Sequence, residues 1–190
     1  MNAKEDARVR KTKAKLIATF RQLLIEKNFE DITVNELCEL SDVRRATFYT
    51  HFADKYVFLK YFVGTLRDDF DRTLPKKKKP DASSTYYTEY IRALVNFLIK
   101  NEIMVNNALA SATLPTLVNV ISEKNYEDTC IRLRESVKDG MTLPASVEIT
   151  AAMMTGAVAS TLLRWFKNGR KLDVEVLIEE ISAVIAAIQN

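Results

Sequence analysis

The sequence predicts an all-α fold of about nine helices, and three observations lead to this prediction. Only four Gly and four Pro interrupt 190 residues, of which 47% are hydrophobic and 28% are charged. Leu, Ala, Lys, Glu and Ile recur throughout, which favours long helices with short connections. The alternation of apolar and polar residues that is typical of strands is nowhere sustained. A chain of this length can form one compact unit, or two small ones, around a real hydrophobic core.

The first two helices are predicted from apolar spacing and from residues that favour helix ends. Apolar residues at helical intervals place the first helix at about 9–27, and Asn28 is a plausible left-handed stop. Thr33 is a good N-cap with Glu36 three places on, which is the pattern of a capping box. The second helix is therefore expected at 34–41.

A tight turn at 41–43 leads into a short third helix at about 44–50. Phe48 is expected to face the core. The side chains on the other side of the helical wheel are Arg45, Ala46, Tyr49 and Thr50. This arrangement predicts a helix-turn-helix, whose last helix enters a major groove of DNA. Arginine can bind guanine edges, threonine can contact a thymine methyl group, and tyrosine can bond a phosphate.

Six further helices are predicted in the rest of the chain. Asp54 is expected to cap a long fourth helix, which ends near Leu74, and the segment 75–81 is a predicted loop because two prolines bracket four lysines. The five remaining helices are predicted at roughly 85–100, 103–110, 115–139, 145–168 and 174–189, with Gly140 and Gly169 at helix ends.

The charge is concentrated in the first part of the chain. The net charge is +3, and residues 1–60 hold 12 Lys/Arg against 9 Asp/Glu, whereas residues 61–190 hold 16 of each. Residues 1–15 alone carry six basic side chains and two acidic ones. A basic segment ahead of an ordered helical region suits a polyanionic partner such as DNA.

Several function classes are disfavoured. Cys38 and Cys130 lie far apart in apolar helical patterns, so we expect buried thiols with no disulfide and no metal site. The start of the chain lacks an apolar signal core, and the longest uncharged run, 149–163, is too short to cross a bilayer, so we expect a cytoplasmic protein. No catalytic or phosphate-cradling pattern is present, which disfavours an enzyme or ligand carrier and predicts no cofactor.

Two strings, 29–34 and 43–55, resemble the DNA-binding domain of the TetR/AcrR family of transcription regulators. The most specific part is Phe-Tyr-x-His-Phe-x-x-Lys, which begins at Phe48, and the resemblance extends from Leu16 to Phe62. It implies a homodimeric, sequence-specific DNA-binding regulator, usually a repressor, that acts on a palindromic operator and responds to an effector. The implied domains are a helix-turn-helix domain at 1–60 and a helical effector-binding and dimerisation domain at 61–190.

The resemblance also implies roles for individual residues. The positions that match base-reading residues are Arg44, Arg45, Ala46 and Thr47. The positions that match phosphate-contacting residues are Thr33, Tyr49, His51 and Lys55. Two positions depart from the family pattern, because Asp42 stands where a glycine is common and Arg44 replaces a small cap residue. These departures affect the expected operator sequence more than the expected fold.

The later part, especially 162–169 and the last helix, resembles the C-terminal domains of a Gram-positive subgroup related to the dihydroxyacetone kinase regulators. The resemblance implies dimerisation through the last two helices. The candidate dimer residues are Ala157, Thr161, Leu177, Ile181, Val184 and Ile188. The candidate effector-binding residues are Phe62, Tyr90, Met104, Arg164 and Trp165.

Each of these assignments has a structural alternative. His51, the only histidine, either contacts phosphate or makes a hydrogen bond at a helix end. Trp165 and Arg164 either line a pocket or pack at a helix end, and Tyr90 and Met104 suit a core better than a pocket. The lysines at 76–79 suit a solvated loop better than a DNA contact. An alternative function for the same fold is a co-regulator that acts mainly through a partner protein.

Overall fold

The fold is that of a computed structural model, which describes residues 7–72, 74, 84–109 and 114–188, with the backbone alone at 84–85, 108–109 and 114–120. These residues form nine α-helices and one 3-10 turn, and no strand occurs among them, so the all-helical prediction is confirmed. The helices are α1 (Ala7–Glu26), α2 (Val34–Leu40), α3 (Arg45–His51), α4 (Lys55–Asp71), α5 (Ser84–Lys100), α6 (Glu102–Leu109), α7 (Leu114–Lys138), α8 (Val147–Lys167) and α9 (Val174–Ile188). The 3-10 turn is Phe29–Asp31. The lysine run at 76–79 lies outside the described residues.

The predicted N-caps are confirmed. The Thr33 hydroxyl accepts a hydrogen bond from the amide of Glu36 at 3.2 Å, and Asp54 Oδ1 accepts from the amides of Tyr56 and Val57, both at 2.8 Å. The capping box is only half formed, because the Glu36 carboxylate pairs with the Lys27 ammonium instead of the Thr33 amide.

Of the residues predicted to end helices in a left-handed conformation, the two glycines are confirmed and Asn28 is not. Gly140 and Gly169 have φ of +101° and +72°, so both adopt the predicted left-handed conformation. The prediction for Asn28 is wrong, since its φ of −65° and ψ of 150° are extended. The chain passes straight into the 3-10 turn here, and this path directs the Phe29 side chain into the core, where it is fully buried.

The chain divides into two compact units. The first comprises Met1–Thr65 and Asn101–Leu117, and the second comprises Leu66–Lys100 and Val118–Asn190. Helix α6 belongs to the first unit, where it packs against α1 and the Asn107 side-chain amide donates to the Leu24 carbonyl at 2.8 Å. The assignment of DNA binding to 1–60 and of effector binding and dimerisation to 61–190 stays a prediction.

Aromatic rings fill the core of the first unit. Phe20 of α1 is fully buried and meets the rings of Phe58 and Phe62 edge-on, with centroids 5.1 and 5.0 Å away. Phe58 in turn lies 5.7 Å from Phe48 and 4.9 Å from Phe52. A continuous set of rings therefore joins α1, α4 and α3, and such edge-to-face pairs contribute about 0.5–1.5 kcal/mol each beyond their burial.

The second unit is a helical bundle in which α5 packs along α9 and α8 contacts α9. Ile91, Leu133 and Ile178 are fully buried in it. The Arg67 guanidinium is enclosed by polar partners, with Asp71 and Asp128 oxygens at 2.8 Å and a further hydrogen bond to Asn125. Within the described residues, no helix has the length and apolar character needed to span a membrane.

Candidate nucleic-acid interface

The turn between α2 and α3 is closed by backbone hydrogen bonds. The Val43 amide donates to the Cys38 carbonyl at 2.9 Å, and the Asp42 amide donates to Glu39 at 3.2 Å. Asp42 has φ of +52°, a left-handed conformation that Asp adopts more readily than most residues. The replacement of the expected glycine therefore keeps the tight turn, and it places a carboxylate beside the start of α3.

Helix α3 separates a buried side from an exposed side. Phe48 is fully buried and Phe52 is 5% exposed. On the other side Tyr49 is 47% exposed and Arg45 is also exposed, with its guanidinium 6.0 Å from the centroid of the Tyr49 ring. The buried aromatic side fixes the helix on the domain, so the polar side is held in a single orientation.

The remaining residues expected to read bases lie at the start of α3. Arg44 is the N-cap residue and is exposed, without a side-chain hydrogen bond to the helix end. Ala46 is also exposed, whereas Thr47 is half-buried. The Thr50 hydroxyl donates to the Ala46 carbonyl at 2.8 Å, which leaves only its oxygen and methyl group for another partner.

The residues expected to contact phosphate differ in their surroundings. Thr33 is exposed, and its oxygen already caps α2 while its hydroxyl hydrogen remains available. His51 is half-buried at the end of α3, where its ring meets the edge of Phe52 at 6.2 Å.

Lys55 is held by the domain itself. Its ammonium donates to the carbonyls of Phe29, Glu30 and Ile32 at 3.3, 2.9 and 3.0 Å, and it lies 4.7 Å from the centroid of the Phe29 ring. An ammonium group has three donors, and these three carbonyls use all of them. Lys55 therefore ties the start of α4 to the 3-10 turn, a function that the sequence pattern alone does not indicate.

A basic cleft of about 320 Å³ adjoins the start of α3. One wall is a face of α1 formed by Arg8, Lys11, Thr12 and Lys15. The other wall is formed by Asp42, Val43, Arg44 and Thr47. Lys15 Nζ lies 2.9 Å from Asp42 Oδ2 across the cleft, and this hydrogen bond together with the lysine charge lowers the pKa of the Asp42 carboxyl.

Sequence reasoning did not single out the α1 wall as a site. Its four residues follow the spacing i, i+3, i+4 and i+7, which places them on one face of a helix. We call this face the basic stripe of α1, and its spacing is the signal from which it could have been predicted. Its position opposite the turn became evident only from the fold, because Lys15 and Asp42 are 27 residues apart.

The candidate effector residues are distributed over both compact units. Phe62 and Met104 are buried in the first unit. In the second, the Tyr90 hydroxyl donates to Asn125 Oδ1 at 3.1 Å, and burial raises the pKa of Tyr90 to about 12, so this hydroxyl stays protonated. Trp165 is buried with its indole N–H on the Leu172 carbonyl at 2.9 Å, while Arg164 is exposed. Trp165 thus packs at a helix end, and an effector role for these residues stays a prediction.

The candidate dimer residues also fall into two groups. Ala157, Thr161 and Val184 are exposed, the last by 58%. Leu177 and Ile181 are 3% and 8% exposed because that side of α9 packs within the unit, chiefly against α5, and Ile188 is half-buried. Further exposed apolar side chains on these two helices are Ile149, Met153 and Val176. The candidate dimer residues of α9 are therefore only partly available to a partner.

Comparison with known proteins relates the first part of the chain to a family and the whole chain to a fold. Residues 16–61 match the family model of bacterial regulatory proteins, tetR family, and this range holds the helix-turn-helix and most of its aromatic core. That family consists of regulatory proteins, in agreement with the prediction that the chain is not an enzyme. No curated protein sequence matches the chain.

Solved structures match nearly the whole chain. A TetR-family transcriptional regulator from Syntrophomonas wolfei str. Goettingen has 19% identity and a TM-score of 0.70, with 95% of each chain covered. A TetR transcriptional regulator from Streptococcus agalactiae 2603V has 23% identity and a TM-score of 0.65, covering 95% of this chain and 97% of that one. The dihydroxyacetone kinase operon activator DhaS has 15% identity and a TM-score of 0.64, covering 94% and 96%. At these identities the likeness establishes the fold.

The surroundings of Lys55 lead to a prediction that differs from the one its motif position suggests. In Lys55→Met, three carbonyls lose their donor, so we expect the free energy of unfolding to fall by about 1–3 kcal/mol in urea titrations. Lys60→Met removes the charge of an exposed lysine on the same helix and should leave stability unchanged. Where Lys55→Met is folded, the slope of log K for DNA against log salt should be that of the unmodified chain. A slope flatter by about one unit, with stability unchanged, would instead assign Lys55 to a phosphate.

Proposed function

We propose that this chain belongs to the tetR family of bacterial regulatory proteins, whose model its residues 16–61 match, and that it is a sequence-specific DNA-binding transcription regulator. Its helix α3 then lies in the major groove of the operator. The observation that carries the proposal is the two-sidedness of α3. Phe48 is fully buried beneath the helix, and Arg45 and Tyr49 are exposed on its outer side. A helix held in this way offers a fixed set of polar groups to a groove.

The chemistry of the exposed side suits both kinds of DNA contact. The guanidinium groups of Arg44 and Arg45 can each donate two parallel hydrogen bonds to a guanine edge, and Ala46 leaves room for close approach to the bases. Tyr49 and the hydroxyl of Thr33 can bond phosphate oxygens, which fixes the register of the helix without reading sequence. Specificity then resides mainly in the first turn of α3.

The regulator acts as a homodimer on a palindromic operator. Exposed apolar side chains on α8 and α9, such as Met153 at 63% and Val184 at 58%, support a partner that contacts these two helices. A two-fold dimer places two recognition helices about 34–36 Å apart, which is one turn of DNA. The two half-sites of the operator are then inverted copies of each other.

Repression is the expected direction of regulation, because a dimer that covers promoter DNA excludes the polymerase. An effector bound in the second unit changes operator affinity only as far as it prefers one arrangement of the dimer, with a coupling of typically about 1–3 kcal/mol. A reporter gene behind the operator distinguishes the two directions, since deletion of a repressor raises expression and deletion of an activator lowers it.

Selection from a random pool of duplexes by the purified full chain tests DNA binding directly. We expect enrichment of an inverted repeat. Arg45→Ala should weaken binding to the selected duplex by about 1–3 kcal/mol and relax the base preference at one position of each half-site, because a bidentate base contact is lost. Arg72→Ala removes an exposed arginine that is paired with Asp69 in the second unit, and it should bind as the unmodified chain does.

The outcomes separate the possible functions. No enrichment of any sequence would contradict the proposal and favour a co-regulator of the same fold that works through a partner protein. An equal loss of affinity by Arg45→Ala on selected and scrambled duplexes would leave DNA binding in place and remove Arg45 from base reading.

A charge on the exposed side of α9 tests the dimer. Val184→Glu should shift the sedimentation coefficient from that of a dimer to that of a monomer, because a carboxylate in an apolar interface is strongly unfavourable. Operator binding should weaken in parallel. Ile131→Glu places the same charge at a residue of α7 that is 52% exposed, and it should leave the dimer intact. A Val184→Glu protein that remains dimeric would exclude this side of α9 as the interface.

A further inference from the structure

The basic cleft between α1 and the start of α3 holds four cationic side chains, Arg8, Lys11, Lys15 and Arg44, and one carboxylate, Asp42. Two residues of the cleft, Arg44 and Thr47, are also expected to read bases. The cleft is therefore continuous with the proposed recognition surface. A major groove is bordered on both sides by phosphates, so side chains next to a helix in that groove meet the DNA backbone.

We propose that this cleft binds a phosphate of the operator backbone through the basic stripe of α1, and that Asp42 limits the strength of this contact by pairing with Lys15. The inference rests on the proposed function, since it adds α1 to the same DNA interface. It also gives Asp42 a role beyond the turn, as a residue that sets affinity.

The geometry of the ion pair carries the second part of the inference. Lys15 Nζ lies 2.9 Å from Asp42 Oδ2, and the Asp42 side chain is 94% exposed while that of Lys15 is 41% exposed. Both groups line the cleft, and the solvent-exposed carboxylate neutralises a lysine that could otherwise pair with a phosphate there. It also repels that phosphate directly.

Both effects are independent of base sequence. They weaken binding to cognate and unrelated duplexes by the same factor, so the preference for the operator is unchanged. A glycine at this position would make the same turn without this charge. The turn therefore does not require a carboxylate at position 42, and the negative charge of Asp42 affects the cleft independently of the backbone conformation.

Asp42→Asn separates the two roles of the residue. Asparagine tolerates the left-handed conformation as well as Asp does, and it removes the charge. We expect binding to be about two- to fivefold tighter per protomer, on the selected duplex and on a scrambled duplex alike. We also expect the slope of log K against log salt to steepen by about 0.9 per protomer, because Lys15 then contacts a phosphate. Fluorescence anisotropy with labelled duplexes at several salt concentrations measures both quantities.

Two further variants make the test specific. Asp31→Asn removes an exposed carboxylate outside the cleft and controls for the change of net charge. In the double variant Lys15→Met, Asp42→Asn, the steepening of the slope should be lost, because it depends on the freed lysine. Thermal unfolding of each variant verifies that it is folded.

The possible results distinguish this inference from the function on which it rests. If the unmodified chain binds a selected duplex but Asp42→Asn changes affinity and slope no more than Asp31→Asn does, the role of Asp42 is refuted and DNA binding stands. If the slope steepens equally in the absence of Lys15, the pairing mechanism is refuted. If the unmodified chain binds no duplex, both proposals fail together.

Discussion

The burial of Phe48 is the constraint on which the candidate interface depends. Its ring lies 5.7 Å from that of Phe58, which in turn lies 5.1 Å from Phe20, so the short helix α3 is anchored through α4 to the first helix of the chain. A seven-residue helix has too few hydrogen bonds to persist alone in water. Its conformation therefore comes from packing, and the same packing that hides the aromatic side determines which side chains remain outside. Arg45 and Tyr49 are presented because Phe48 is buried.

Helix α1 combines an apolar face that anchors it in the core with a basic face next to α3. One face contributes Leu16 and Phe20 to the aromatic core, and another carries the basic stripe that lines the cleft. Lys15 belongs to the stripe and pairs with the Asp42 carboxylate, so the charge next to α3 depends on a contact between α1 and the turn. The basic side chains on this face of α1 are thus held in place by a helix that is anchored in the core.

Local features of the fold could be predicted from the sequence, and features that depend on distant residues could not. Thr33 caps α2 and Gly169 ends α8 as expected, because a cap and a left-handed stop depend on residues within one helical turn. The three carbonyls around Lys55 come from residues 23 to 26 positions away, and no spacing rule indicates them. Helical periodicity places Leu177 and Ile181 on an apolar face of the last helix, but it does not show whether that face packs against its own chain or against a second copy. In this fold the two side chains are buried within the chain.

Photo-crosslinking from the outer side of α3 tests the central claim most directly. The photoreactive residue p-benzoylphenylalanine replaces Tyr49 in the full chain, and the protein is irradiated on the duplex that it selects. The account predicts a crosslink to one nucleotide of each half-site, and none when the same residue replaces Ile25, which is 42% exposed at the far end of α1. Bound duplex without a crosslink from position 49, or with equal yields from both positions, would contradict it.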